Sequence, residues 1–193
     1  MGCEMVAPPV FLSEQEALAI IKGVAADAGV NFGDRPPKYT ATQNNGNREL
    51  YNGRENGIVL GDGNIGLDLY DGEKNVAVAY ISMNEAEEKY LPGEDGSVMM
   101  SSVTSYRPRE LAEMTVEDFA QQNGDISVGV FYDPGVSWES EEHKRILDEY
   151  YNSEKNWDEK VAQYEADTKQ LIEEDLRAQV RDFIEWLQGQ GII

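Results

Sequence analysis

The stretch from Asn64 to Ser82, NIGLDLYDGEKNVAVAYIS, constrains the fold of this chain more than any other. Two runs alternate apolar and polar residues, and Asp71-Gly72 between them carries turn chemistry. Glycine tolerates positive φ, and an aspartate side chain can bond the backbone two residues on. Period-2 runs joined by so short a link predict an antiparallel hairpin. The alternation places Ile65, Leu67 and Leu69 on one face, with Val76, Val78 and Tyr80 returning on the second strand.

Helices must cover such a hairpin, and the flanks supply them. Ser13-Glu14-Gln15-Glu16 is a capping box, and behind it Ala17, Leu18, Ile21, Val24, Ala25 and Ala28 recur at helical spacing until Gly29. A helix over 14–28 follows, its apolar stripe turned to the core. Residues 98–105 read as a strand and 108–122 as a helix, with Pro108 in its first turn and Leu111, Ala112, Val116, Phe119 and Ala120 facing inward. Residues 126–132 read as a further strand, ended by Asp133-Pro134-Gly135. These three segments form a predicted βαβ unit with parallel strands. A short helix is expected over 84–90, another over 139–151, and a long one from Trp157 to Gln188. Val161, Tyr164, Leu171, Leu176, Val180, Phe183, Ile184 and Leu187 make the buried stripe of that last helix, and Ile192-Ile193 tuck against the body.

Residues 31–57 carry little periodicity. Arg35-Pro36-Pro37-Lys38 is extended, because each proline pushes its predecessor out of the helical region, and Tyr39–Thr42 suits a short edge strand. Asn-Gly dipeptides at Asn45, Asn52 and Asn56 mark turns. A loop this long can border a binding surface. The fold expected is α+β: a mixed sheet of about four strands, built from an antiparallel hairpin plus a βαβ unit, with packed helices and a long C-terminal helix. Residues 1–12 form an N-terminal tether and 13–193 a single domain.

Charge narrows the partners. With 37 acids against 16 bases the net charge is −21, a field that repels nucleic acid and anionic membrane surfaces and suits cations or a basic partner. One cysteine and one histidine leave no disulfide framework and no Cys-based zinc site. Gly61-Asp62-Gly63-Asn64-Ile65-Gly66 matches a dinucleotide fingerprint in letters only. The chain continues from it as a strand, whereas the fingerprint needs a helix whose amino end holds the pyrophosphate, so the glycines read as a turn or bulge. Asp62 and Asn64 begin like a calcium loop, but Gly66 and Leu67 occupy the next required positions, which leaves weak cation binding by Asp62, Asn64, Asp68 or Asp71. Glu94-Asp95-Gly96 is no more specific. His143 has Glu139 one turn before it and Glu142 beside it, the spacing of a surface ion pair. No catalytic residue, metal ligand or cofactor-binding residue emerges.

Met1-Gly2-Cys3 places the single cysteine third, where a thiol can accept lipid without disturbing a fold. Three readings stand: a bacterial lipoprotein cysteine preceded by a small residue, myristoylation of Gly2 with Val6 at the position where Ser or Thr is wanted, and an unmodified tail. LSEQEALAII at 12–21, LDLYDGEKNVAVAYIS at 67–82, VGVFYDPG at 128–135 and LRAQVRDFIEWLQGQGII at 176–193 join Cys3 in a combination that resembles uncharacterised bacterial cell-envelope lipoproteins. The resemblance implies a lipid on Cys3 and an extracytoplasmic location, and it brings no activity with it. The expected function is a non-catalytic binding or interaction domain of a lipid-anchored envelope protein, with an unknown protein or small-molecule ligand. Two alternatives remain: a small hydrolase using paired carboxylates, or an acidic inhibitor or immunity-type protein, cytoplasmic if unlipidated, that binds a basic partner.

Overall fold

The structure is a computed structural model that describes residues 7, 10–33, 40–43, 49–50, 58–59, 63–83, 108–122, 125–135 and 140–193. Its centre is a three-stranded mixed sheet of β5 (Leu69–Asp71), β6 (Val76–Ile81) and β7 (Ser127–Tyr132), in that order. β5 and β6 are the predicted hairpin, antiparallel with Leu69 opposite Val78 and Asp71 opposite Val76. The Asp71 carboxylate closes the turn by accepting the Glu73 and Lys74 amides at 3.0 and 3.1 Å, and its other oxygen accepts the Asn31 amide at 2.8 Å. The left-handed residue of the turn is Asn75, at φ 55°, rather than Gly72. Asparagine tolerates this region because its short side chain bonds locally, and here it accepts from the Tyr70 hydroxyl at 2.8 Å.

Leu67 and Leu69 do not share a face. The chain leaves the strand conformation at 67–68, where the Asp68 carboxylate accepts the Tyr80 amide at 2.7 Å while the Asp68 amide donates to the Val78 carbonyl. That break sends Leu67 to one face of the sheet and Leu69 to the other. Before it, β4 (Gly63–Gly66) pairs antiparallel with β1 (Thr40–Gln43), and β2 (Glu49–Leu50) pairs with β3 (Ile58–Val59), as two separate ribbons.

The parallel partner of β7 is β6, in register from Val76–Ser127 to Ile81–Tyr132. The crossover between them contains α2 (Pro108–Gln122). The βαβ unit thus starts from the hairpin's second strand; the expected strand at 98–105, like the helix at 84–90, lies outside the described residues. Every residue of β6 is buried, as a central strand covered on both faces requires. Val76, Val78 and Tyr80 enter one core and Ala77, Ala79 and Ile81 the other. α2 fills the second core with Leu111, Ala112 and Phe119, but Val116 and Ala120 are exposed and Thr115 and Asp118 are buried in their stead. The Thr115 hydroxyl is satisfied within the helix, donating to the Leu111 carbonyl at 2.7 Å, which admits it to an apolar face.

The first core is built by α1 (Glu14–Asp27), α3 (Glu141–Asn152) and α4 (Trp157–Gly189). Both halves of the capping box on α1 are present. Ala7, Val10 and Leu12, from the segment expected as a tether, are buried in this core, as are parts of Ile192 and Ile193. α4, 33 residues and so roughly 50 Å long, crosses the first-core face of the sheet. Its Gln179 side chain accepts the Tyr132 amide and donates to the Tyr132 carbonyl, both at 3.2 Å, supplying the side of β7 that pairs with no other described strand with bonds a further strand would make.

The Lys169 ammonium on α4 bonds the Glu16 carboxylate on α1. This bond, with that from Ser13, lowers the Glu16 pKa from 4.5 to about 2. A carboxyl held below its unfolded value stabilises the fold above pH 4.5 and loses that contribution as pH falls towards 2. Both partners are more than a third exposed, so solvent screening limits the pair to about 0.5–1 kcal/mol. In acid titrations followed by circular dichroism, Lys169→Met is expected to be less stable than the parent by that amount at pH 7, with the gap closing between pH 4.5 and 2.

Candidate functional site

The site lies in the seam of the α3–α4 hairpin. Ser140 caps α3, its hydroxyl accepting the His143 amide, and the apolar spacing of the helix buries His143, Ile146 and Tyr150. Only residues 153–156 separate the helices, so they return side by side. Asn156 caps α4 through the Glu159 amide at 3.1 Å. On α3, Ile146, Glu149 and Tyr150 share a face; on α4, Lys160, Gln163, Tyr164 and Asp167 do, at i, i+3, i+4 and i+7. Where the two faces meet near the turn they leave a hollow of about 240 Å³, with Ser153 and Lys155 at its connection side.

Behind the hollow, away from solvent, the α3–α4 seam is polar and buried. Tyr150 is 5% exposed, and its hydroxyl has no hydrogen-bond partner among the described residues. The Tyr164 hydroxyl stands 3.4 Å from Nε2 of His143, which is fully buried, and Thr168 follows one turn along. Burial pushes the acidity of both phenols out of the working range, with the Thr168 side chain acting in the opposite sense on Tyr164. Both rings therefore present neutral hydroxyls, able to donate or accept a hydrogen bond but not to act as phenolate bases. Tyr150 also touches two exposed aromatics, Tyr151 at 5.1 Å and Trp157 at 6.0 Å between ring centroids. These are 53% and 45% exposed and extend the aromatic surface beyond the hollow.

The charges are unequally committed. Glu149 is paired with Arg145 at 2.8 Å, and both oxygens of Asp167 accept from the Gln163 amide at 2.8 Å. Lys155 and Lys160 make no ion pair among the described residues.

The residues singled out from the sequence fare differently. His143 is buried against Tyr164 rather than paired at the surface, because the helix turns it towards α4 with Ile146 and Tyr150. Glu142 pairs with Arg145 instead, and Glu139 lies outside the described residues. Asp68 and Asp71 are committed to backbone amides, Asp68 to Tyr80 and Asp71 to Glu73 in the hairpin and to Asn31 after α1. Gly63–Gly66 is a strand paired with β1 rather than the expected turn or bulge, while Gly61, Asp62, Glu94, Asp95 and Cys3 lie outside the described residues. No group of three or more potential metal ligands occurs among the described residues, and no described helix is long and apolar enough to cross a membrane. Sequence reasoning placed Tyr164 in a core stripe and passed over Tyr150, Lys155 and Lys160. The available signal was polar: His143 and Tyr150 seven apart on one helix, Tyr164 and Thr168 four apart on the next. No protein family, curated protein or solved structure matches the chain.

Proposed function

We propose that the chain is a non-catalytic binding domain whose ligand sits in the α3–α4 hollow, and that a lipid on Cys3 holds it at the outer face of a bacterial membrane. One observation carries the binding reading: a hollow of about 240 Å³ between α3 and α4, backed by a buried tyrosine hydroxyl with no partner among the described residues. A buried unpaired hydroxyl costs about 1–3 kcal/mol, which packing alone gives no reason to keep. A ligand that enters the hollow, displaces the side chains covering that hydroxyl and bonds it would account for the cost.

The anchor reading is supported by the position of the cysteine. Ala7 is already in the core, and four residue steps from Cys3 span at most roughly 14 Å. A lipid there would hold the body against the bilayer surface. Intact mass of the product of the natural gene tests it, with added diacylglycerol mass on Cys3 in the membrane fraction expected. An unmodified soluble chain would sink it.

Tyr150→Phe separates a ligand-binding role from a packing role. It removes the unpaired hydroxyl and keeps the ring, so the melting temperature is expected to rise, by an amount corresponding to about 1 kcal/mol. In an NMR fragment screen of the full chain, hits are expected to cluster on α3 and α4 around the hollow, and Tyr150→Phe is expected to weaken them. Hits scattered elsewhere, or none, would overturn the site. Turnover of any substrate, abolished by single substitutions, would overturn the non-catalytic reading.

A further inference from the structure

We propose that the tip of the α3–α4 hairpin is a bilayer-facing surface, with the Tyr151 and Trp157 rings seated among the headgroups of the membrane that carries the lipid on Cys3. This rests on the anchor reading above and adds which part of the body meets the membrane.

The two rings are the exposed part of an aromatic cluster. Residues 153–156 join α3 to α4, and Tyr151 and Trp157 flank them. Each packs edge-on against the buried Tyr150 ring, which in turn touches Tyr164. Their inner edges are held in this way, while about half of each side chain stays open to solvent. Rings with an apolar body and a polar O–H or N–H are favoured at the boundary between hydrocarbon and water. Around them Glu154, Asp158 and Glu159 outnumber Lys155 and Lys160. Acidic lipid is therefore not what draws this tip; the apolar surface of the rings is.

The order of contacts along α4 places the tip at the end where the chain enters the body. Trp157 begins the helix, Lys169 meets Glu16 in the first turn of α1, Gln179 meets Tyr132 at the carboxyl end of β7, and Phe183 lies against Gly129 further back along that strand. α4 thus runs antiparallel to β7, and Trp157 stands roughly 33 Å along the helix before Gln179, past the carboxyl end of the strand. The amino-terminal segment enters at this same end. The Leu12 amide bonds Asp133 just beyond β7, and α1 then runs back to Asn31, whose amide bonds Asp71 beside the amino end of β6. Cys3 precedes Leu12 by nine residues, a reach of at most roughly 32 Å. A lipid there and the hairpin tip can meet one bilayer. Trp186 marks the opposite end: it is 48% exposed against 45% for Trp157, but lies roughly 44 Å further along α4, on the other side of Gln179.

The test couples the full chain through Cys3, its single thiol, to phosphatidylcholine vesicles that carry a maleimide-headgroup lipid, so that tethering does not depend on lipidation in the cell. With bromine on the acyl chains close to the headgroups, tryptophan emission is expected to be quenched. The quenching is expected to be lost in Trp157→Phe and kept in Trp186→Phe, with both variants melting as the parent does before coupling. Amide exchange of residues 151–160 is expected to slow on the vesicles while that of 182–189 stays as in free solution, and added phosphatidylglycerol is expected to weaken the contact. Quenching that survives Trp157→Phe, or exchange at 151–160 that is indifferent to the vesicle, would overturn the proposal. Slower exchange of the same residues as the concentration of uncoupled chain rises would assign the tip to a second copy and overturn it as well. Intact mass of the natural product decides the anchor separately: an unmodified chain would remove the tether, and quenching of Trp157 on coupled vesicles would still assign the tip to a bilayer.

Discussion

Asp133→Ala is expected to destabilise the protein by about 2–4 kcal/mol at neutral pH, the largest effect of any single polar substitution among the described residues. Asp133 follows β7, is fully buried, and serves as acceptor for two backbone amides that have no other partner among the described residues: Leu12 at 2.7 Å and Gly135 at 2.9 Å. Leu12 is 121 residues away in the chain and heads α1, so this carboxylate ties the start of the body to the carboxyl end of the parallel strand pair. Truncation to alanine strands both donors, at about 1–3 kcal/mol each. The removal of a buried charge returns part of that, which is why the net falls below the sum. Burial, the largest influence, raises the Asp133 pKa, while the Gly135 and Leu12 amides and the Tyr80 side chain pull it down. A carboxyl raised above its unfolded value contributes stability that is complete below 3.8 and is lost as pH rises through the folded value. The deficit of Asp133→Asn, which keeps one acceptor oxygen, is therefore expected to be greatest in acid and to shrink as pH rises. For a chain of this size, 2–4 kcal/mol corresponds to a fall in melting temperature of roughly 5–15 °C. Hydrogen exchange should localise the early opening to residues 10–12. A variant melting within a degree of the parent would show that the two amides find other acceptors.

Gly129→Ala is the second large effect, with a sign opposite to the usual rule. Alanine for glycine inside a strand is ordinarily favourable by roughly 0.5–1 kcal/mol. Here a Cβ on residue 129 would stand 2.9 Å from Cδ1 and Cε1 of Phe183 and 3.1 Å from Cζ of Phe131. Phe183 has little freedom to withdraw. It sits edge-on to Phe131 at 5.8 Å between centroids and stacks on Trp186 at 5.8 Å. Over-packing of this kind costs about 1–3 kcal/mol, so the net loss is expected at about 1–2 kcal/mol, and more for Gly129→Val. Phe183→Leu gives the discriminating experiment. Combined with Gly129→Ala it should cost less than the two single changes added, with a coupling of about 1 kcal/mol in urea unfolding. Strict additivity would mean that α4 shifts as a whole and that Phe183 is not what forbids the side chain.

Several features could be read locally. The capping box over 13–16 specified the start of α1, and the period-2 runs around Asp71 specified β5 and β6, because hydroxyl caps, turn residues and strand alternation act within a few residues of chain. The stripe from Tyr164 to Leu187 likewise specified the buried face of α4, though Thr168 and Ile172 belong to it as well.

The candidate site was not legible in the same way. The polar residues behind it are ones that a helical pattern counts simply as inward-facing. Whether an inward histidine or tyrosine meets solvent, an ion pair or another hydroxyl depends on the helix it is turned towards. His143 read as exposed because Glu142 lay beside it; the packing of α3 on α4 decided otherwise.

The amino-acid sequence by itself determined the local elements: α1, the hairpin, α2, β7 and the long α4, each written in backbone preferences of short range. Only the tertiary structure decided that β7 pairs with β6, that Leu67 and Leu69 part to opposite cores, that Val116 turns outward while Thr115 turns in, and that Asp133 holds Leu12. Those outcomes rest on contacts between residues far apart in the chain, where burial and unpaired backbone groups are settled jointly rather than segment by segment.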